Sequence, residues 1–391
     1  MRYVNRLRIL VLIAFGMSAQ AVSATTLQFH AWGGNAQVNK YLQWVADEVR
    51  NQHDITLNHV KLADTSDAVA RVLAEKAAGN HSQGAVDLIW INGENFAAMQ
   101  RHNLLLKNWV GKLPNFALTN PSNNPAMVTD FGLPTQGQEA PWGRAAMVFY
   151  YNQQHVTEPP QNLNQLMQFA KQHPGRFSYP LPSDYLGISF LKYALLVLNK
   201  DNTAPLYAPV TATRFDETSA PLWAFLDQLH PLMWRQGSHM VRQASQLQQL
   251  MSASEVLLAF SFTAAEIPGA VTRYDLPERT RTYAMQEGSL GNVHFVGISY
   301  NTAHPEAAKQ VVNFLLSPKA QAKKQQQAVW GDETVLDVAM LSAETQRLFA
   351  VEDLHPAALP PGAIYRLLPE PHASWTDALR EAWFVRYGAR W

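Results

Sequence analysis

Two acidic residues, Glu94 and Asp184, sit among polar, turn-forming neighbours where a carboxylate could do acid–base work, and Ser261 and Thr263 offer hydroxyls in a similar setting. The motifs that equip such groups for catalysis are missing: there is no G-x-S-x-G, no H-E-x-x-H and no G-x-x-x-x-G-K. The thirteen histidines are scattered, and pairs such as His230 and His239 lack metal-ligand spacing on one helical face. Tyr150 and Tyr151 are adjacent in a strand-like run, so they point to opposite faces and do not converge on one metal. The absence of cysteine excludes thiol nucleophiles, thiolate zinc sites, disulfides and a lipidated N-terminal cysteine. No catalytic residue, metal site or cofactor is expected.

What remains is suited to binding. In Trp32-Gly33-Gly34-Asn35, the glycines can bring backbone N–H groups to a ligand at a helix N-terminus, and Trp32 supplies a flat apolar face. The alternative is a tight turn with Trp32 in the core. Asn92-Gly93-Glu94-Asn95 repeats the arrangement: Asn92 suits an N-cap, and Glu94 favours the helix dipole or a cationic group. Trp142 and Arg144 could stack on a ring and hold a carboxylate, or serve as hinge packing and a surface ion pair. Asp184, Ser261 and Thr263 could contact a ligand or act in ordinary caps and turns. Trp330-Gly331-Asp332 is a similar candidate.

These loops recur after short apolar runs and before helices. Leu27, Phe29 and Ala31 alternate with polar residues as in a strand, and Val38, Tyr41, Leu42, Val45 and Val49 then follow helical spacing. A helix over 68–78 leads to the buried-strand run "AVDLIWI" at 85–91, a polar loop and a further helix. Such loops lie at the carboxyl ends of strands in open α/β sheets, where ligands bind. Between 107 and 141 periodicity gives way to Pro, Asn, Gly and Thr. "RAAMVFYYN" from Arg144 reads as one strand, "EVLLAFSFT" as another and "HFVGISYN" as a late one; helices are expected over 186–198, 221–230 and "HPEAAKQVVNFLLS".

The 391 residues are too many for one core, and 47% apolar with 16% charged residues is an ordinary globular composition. Lys+Arg and Asp+Glu both number 31, so neither nucleic acid nor an anionic membrane is an implied partner. Arg2, Arg6 and Arg8 precede "ILVLIAF" and a small-residue stretch, the layout of a cleavable signal peptide with cleavage after Ala24 or Ala21. Removing residues 1–24 takes away three arginines and no acid, leaving 28 basic against 31 acidic residues, a net charge of −3.

"DLIWINGENF", "VFYYNQQHVTEPPQNLNQL", "FVGISYNTAHPEAAKQVVNFLLSPKAQ" and "VWGDETVLD", taken in order, resemble the solute-binding proteins of ABC importers, in particular the YnjB-type group related to the polyamine-, iron- and thiamine-binding proteins. The resemblance implies an α/β, two-lobed periplasmic-binding-protein fold, type II-like, with ligand between lobes joined by hinge crossings. Carried onto this chain, residues 1–24 are the signal peptide, 25–140 with 292–345 one lobe and 141–291 the other. Residues 346–391 form a tail packing near the hinge. The implied function is periplasmic capture of a small solute by a monomer that delivers it to an inner-membrane permease. A periplasmic hydrolase using Glu94 or Asp184 is the alternative. Eleven tryptophans suit a ring-bearing or cationic solute. Exported protein is expected soluble in the periplasm, with N-terminal sequencing starting at Val22 or Thr25; a chain starting at Met1, or one retained on washed membranes, would contradict this.

Overall fold

The structure, a computed structural model, describes residues 25–62, 64–350, 354–360, 363–364 and 366–388. The expected signal peptide lies outside the described residues.

The chain opens with strand β1 (Thr25–Trp32), helix α1 (Ala36–His53), β2 (Ile55–Leu62), α2 (Ser66–Ala77), β3 (Leu88–Ile91) and α3 (Gly93–Arg101). The five apolar residues at helical spacing in α1 are its buried stripe. Short strands β4 (Thr129–Asp130) and β5 (Leu133–Pro134) form a hairpin before β6 (Glu139–Ala146) and β7 (Val148–Asn152). Helices α4 (Leu163–Gln172), α5 (Tyr185–Leu198), α6 (Ala212–Leu229) and α7 (Ala244–Ser252) follow, then β8 (Leu258–Ser261), α8 (Glu266–Thr272) and β9 (Thr280–Tyr283). The chain returns through β10 (Ser289–Ile298), α9 (Pro305–Leu315), α10 (Pro318–Gln325) and α11 (Ala343–Gln346), and ends with β11 (Leu367–Pro369) and α12 (Ser374–Tyr387).

One sheet runs β2-β1-β3-β10, with β11 and β6 also on β10. β1 is parallel to β2 and β3, whereas β10 is antiparallel to both β3 and β6. The carboxyl ends of β1 and β3 therefore lie side by side, which places Trp32–Asn35 and Asn92–Asn95 on one edge. A second sheet, β8-β7-β9, is antiparallel.

Two hydrophobic cores result, one per lobe. The first joins Phe29, Tyr41, Ile89, Trp142, Phe295 and Val312; the second joins Phe149, Phe177, Phe190, Leu226, Phe260 and Trp383. The run from Arg144 is two strands, not one. β6 pairs with β10 in the first sheet, Met147 makes the passage, and β7 opens the second sheet. The expected division at 140/141 shifts accordingly: Trp142 packs in the first core and Met147 in the second. On the return, Leu290 belongs to the second core and Val293 to the first, so this crossing is itself strand.

The tail does more than lie at the hinge. β11 joins β10, and α12 turns Trp375, Leu379, Trp383 and Tyr387, four residues apart, into the second core. The Trp383 indole N–H donates to the Tyr179 hydroxyl at 2.8 Å. Trp383→Ala should cost ~3–5 kcal/mol in urea unfolding, whereas its exposed neighbour Phe384→Ala should stay within ~1 kcal/mol. Equal, small effects would show α12 to be an appendage.

Candidate functional site

The loop after β1 is built by close approach, not by unusual backbone. Neither Gly33 nor Gly34 has positive φ. A Cβ on Gly33 would lie 2.5 Å from Lys61 Cβ, and one on Gly34 would lie 2.8 Å from the Trp32 indole. The Gly33 N–H is not free for a ligand either, since it donates to the Leu62 carbonyl at 3.1 Å. Asn35 caps α1, its Oδ1 accepting from the Gln37 and Val38 N–H groups at 2.7 and 3.3 Å. The expectation of open backbone donors at this helix start is therefore corrected. What the loop presents is Trp32, 37% exposed, edge-to-face on Trp90 with centroids 6.4 Å apart.

Behind Trp90 lies a packed aromatic cluster. Trp90 meets Trp142 at 5.0 Å, Trp330 at 5.6 Å and His294 at 5.0 Å. Trp142 is fully buried there, so it backs the wall and does not stack on a solute. Trp330 is buried beside it, and Asp332 accepts from the Lys324 ammonium and lies 3.1 Å from His294 Nε2. Burial pulls Lys324 below its ordinary range, and the Asp332 charge opposes the shift.

After β3, Asn92 occupies the N-cap position of α3 without a side-chain cap bond. The Gly93 N–H donates instead to Asp130 Oδ2 at 2.7 Å. Gly93 has φ +58°, a conformation that favours glycine. Asn92 and Asn95 are half-buried and their amides make no hydrogen bond within the described residues, while Glu94 lies 3.9 Å from Arg380 of α12.

Second-lobe residues meet this edge. Glu266, at the start of α8, accepts from Asn35 Nδ2 at 3.3 Å and from Ser261 Oγ at 2.7 Å, joining two expected site residues across the lobes. Burial pushes the Glu266 carboxyl up; the bonds from Ser261 and Asn35 oppose that. The Thr263 N–H donates to Ser261 Oγ at 3.1 Å, an ordinary turn bond. Asp184 is a cap: its carboxylate accepts from the Leu186 N–H at 2.8 Å and the Ala244 N–H at 3.2 Å. Its neighbour Tyr185 packs edge-to-face on Phe262 at 5.2 Å, and its hydroxyl accepts from Asn292 Nδ2 at 2.9 Å. Asn292 also reaches Glu370 at 3.3 Å, which is ion-paired with Lys192 at 2.6 Å.

Arg144 stands apart. Its backbone pairs with Glu333, and it lines a cavity of about 730 Å³ with Ala264, Ala265, Glu333, Asp337 and Leu359. That cavity shares no lining residue with the Trp32–Trp90 wall. Of the named residues, Trp32, Asn35, Glu94 and Ser261 are brought to the interface between lobes, and Arg144 to a separate cavity whose walls also come from both lobes; Trp142 and Asp184 serve elsewhere. Trp90, Tyr185, Phe262 and Glu266 were missed. Tyr185 and Phe262 adjoin named residues, whereas Trp90 reads as core within an apolar strand. Among the described residues no group of three or more His, Asp or Glu is placed to hold a metal.

A family model described as bacterial extracellular solute-binding protein matches residues 44–352. The Escherichia coli K12 protein YnjB is 41% identical over 93% of this chain and 91% of its own length. Among solved structures, the spermidine/putrescine ABC transporter substrate-binding protein PotD of Streptococcus pneumoniae is 16% identical, with a TM-score of 0.64, covering 94% of this chain and 99% of that one. A periplasmic thiamin-binding protein is 17% identical, with a TM-score of 0.59, covering 93% and 96%. The fold is thus the two-lobed fold of periplasmic binding proteins.

Trp32 and Trp142 give a contrast that the packing makes definite. Trp142→Ala should destabilise the unliganded protein by ~3–5 kcal/mol, and Trp32→Ala by about 1 kcal/mol or less, in urea unfolding. A large loss at Trp32 would mark it as core.

Proposed function

The chain belongs to the bacterial extracellular solute-binding proteins, and from that premise we propose that it closes its lobes on a small solute bearing a cationic nitrogen and delivers it to an inner-membrane ABC permease. The observation that carries the choice of solute is the make-up of the interface between lobes. Trp32 offers an exposed π face backed by Trp90, and Tyr185 adds a second exposed ring. Carboxylates stand at Glu94 and Glu266, while the cations nearby are engaged: Lys192 by Glu370, and Arg380 by Asp377 at 2.7 Å. Glu94 lies within ion-pair distance of Arg380, whereas Glu266 has no ion-pair partner among the described residues; aromatic faces beside such a carboxylate attract an ammonium or a ring cation, and the amides of Asn92 and Asn95 can fix its orientation. The spermidine/putrescine and thiamin proteins that share the fold are named for nitrogen cations, which agrees with this reading.

Binding requires no covalent step. Closure is a population shift, driven by the closed form's greater contact with solute. The arrangement does not favour the hydrolase alternative: Asp184 is committed to capping two backbone amides, and Glu94 faces Arg380 rather than a second carboxyl group. Export to the periplasm behind the signal peptide and action as a monomer complete the proposal.

The test is calorimetric titration of refolded, solute-stripped protein against a panel of amines, ring cations, sugars and carboxylates. A cation should bind, and small-angle scattering should register a smaller radius of gyration on binding. Trp32→Ala should weaken binding by ~1–3 kcal/mol, and Glu266→Gln by a comparable amount. Tight binding of a neutral sugar, unaffected by Glu266→Gln, would overturn the choice of solute.

A further inference from the structure

The carboxyl groups of Asp130 and Glu139 have no place in the account so far. Asp130 ends β4 and is 1% exposed; Glu139 opens β6 and is 0% exposed. Both oxygens of Glu139 and the Oδ1 of Asp130 are enclosed without a hydrogen-bond partner. The single bond the pair makes runs to the binding edge, from the Gly93 N–H to Asp130 Oδ2 at 2.7 Å. The next residue, Phe131, presses its ring on the same glycine, where a Cβ would lie 2.7 Å from it.

We propose that Asp130 is a positioning residue for the Asn92–Asn95 loop, its side chain holding the Gly93 amide from a remote element. The strongest argument is the cap that the local sequence does not use. Asn92 is a favoured N-cap residue and stands in the right place with extended backbone, φ −165° and ψ 169°, yet its side chain caps nothing. Asp130 instead reaches the first amide of the helix, that of Gly93, from a remote element, and the Asn92 side chain makes no cap bond to the amides that follow. The proposal rests on the reading of this loop as part of the solute site, but its test needs no solute.

Charge decides how the pair works. The charged groups acting on Asp130 are Glu94, Glu370 and Lys192, and Lys192 is ion-paired to Glu370; Asp130 in turn acts on Glu139. Two ionised carboxyls in this enclosure would repel, which disfavours ionising both. The Gly93 N–H and the positive end of α3 favour the charged form of Asp130 and oppose its upward shift. Burial first, then neighbouring carboxylates, hold both groups above the ordinary carboxylate range. A carboxyl raised in the folded state contributes stability below its unfolded value and loses it as pH rises toward the folded one.

Amide hydrogen exchange of the full, solute-free protein tests this directly. Asp130→Ala, or Asp130→Asn if the alanine variant fails to fold, should speed exchange at residues 93–95 at least tenfold while leaving β1 and β10 protected. In the wild type, protection at 93–95 should fall as acid neutralises Asp130. Glu139→Gln should melt several degrees higher than wild type at neutral pH, with the gain vanishing in acid. Unchanged exchange at 93–95 in the Asp130 variant would overturn the proposal, as would equal loosening of the whole lobe.

Discussion

The hydrogen-bonded ladder between the outgoing β6 and the returning β10 is the constraint on which the rest of this fold depends. It runs from Gly291–Ala146 to Gly297–Glu139, and all ten residues of β10 are buried. β10 also pairs with β3 and with β11, so the binding edge, both lobe crossings and the tail are all tied to one strand. Opening the lobes cannot break this ladder without exposing its backbone groups, which leaves hinge bending near Ala146–Val148 and Ser289–Gly291 as the available motion. Asn292 and His294 lie on this strand within the ladder, and Asn292 also bonds Tyr185 of the second lobe.

Two buried ion pairs flank that strand. Lys192 with Glu370 ties α5 to the tail, and Lys324 with Asp332 ties α10 to the stretch after Trp330. Such pairs contribute little net stability, because removing both charges from water offsets most of their attraction. Their value here is geometric. Each holds an irregular segment against a sheet: Glu370 beside Asn292, and Asp332 beside His294, where Gly143 leaves no side chain in the way. The Trp330 ring is thereby held against Trp90, and Trp90 in turn supports Trp32.

Local pattern made much of the fold legible. The stripe of α1, the alternation in β1 and the late amphipathic helix α9 are visible because each element buries one face at its own period. The break at Met147 was not visible, since "RAAMVFYYN" is continuous in propensity and only pairing with two different sheets divides it. The two glycines after Trp32 were read as conformational freedom, whereas they answer to neighbours, Lys61 and the Trp32 ring, that no local pattern announces. Asp184 and Trp142 have the chemistry of site residues, but a cap and a core claim them.

The site itself depends on contacts hundreds of residues apart in the chain, and this is why residue type alone was a partial guide. Asn35 meets Glu266 only because the lobes face each other, and Glu266 carries no motif beyond a carboxylate at a helix start. In this position it bonds one residue from each lobe, so a cation arriving between Asn35 and Ser261 would find a carboxylate already oriented by both. Such pre-orientation lowers the ordering cost of closure. On the proposed reading it also couples recognition to lobe position, since the bond from Asn35, unlike the local one from Ser261, crosses between the lobes.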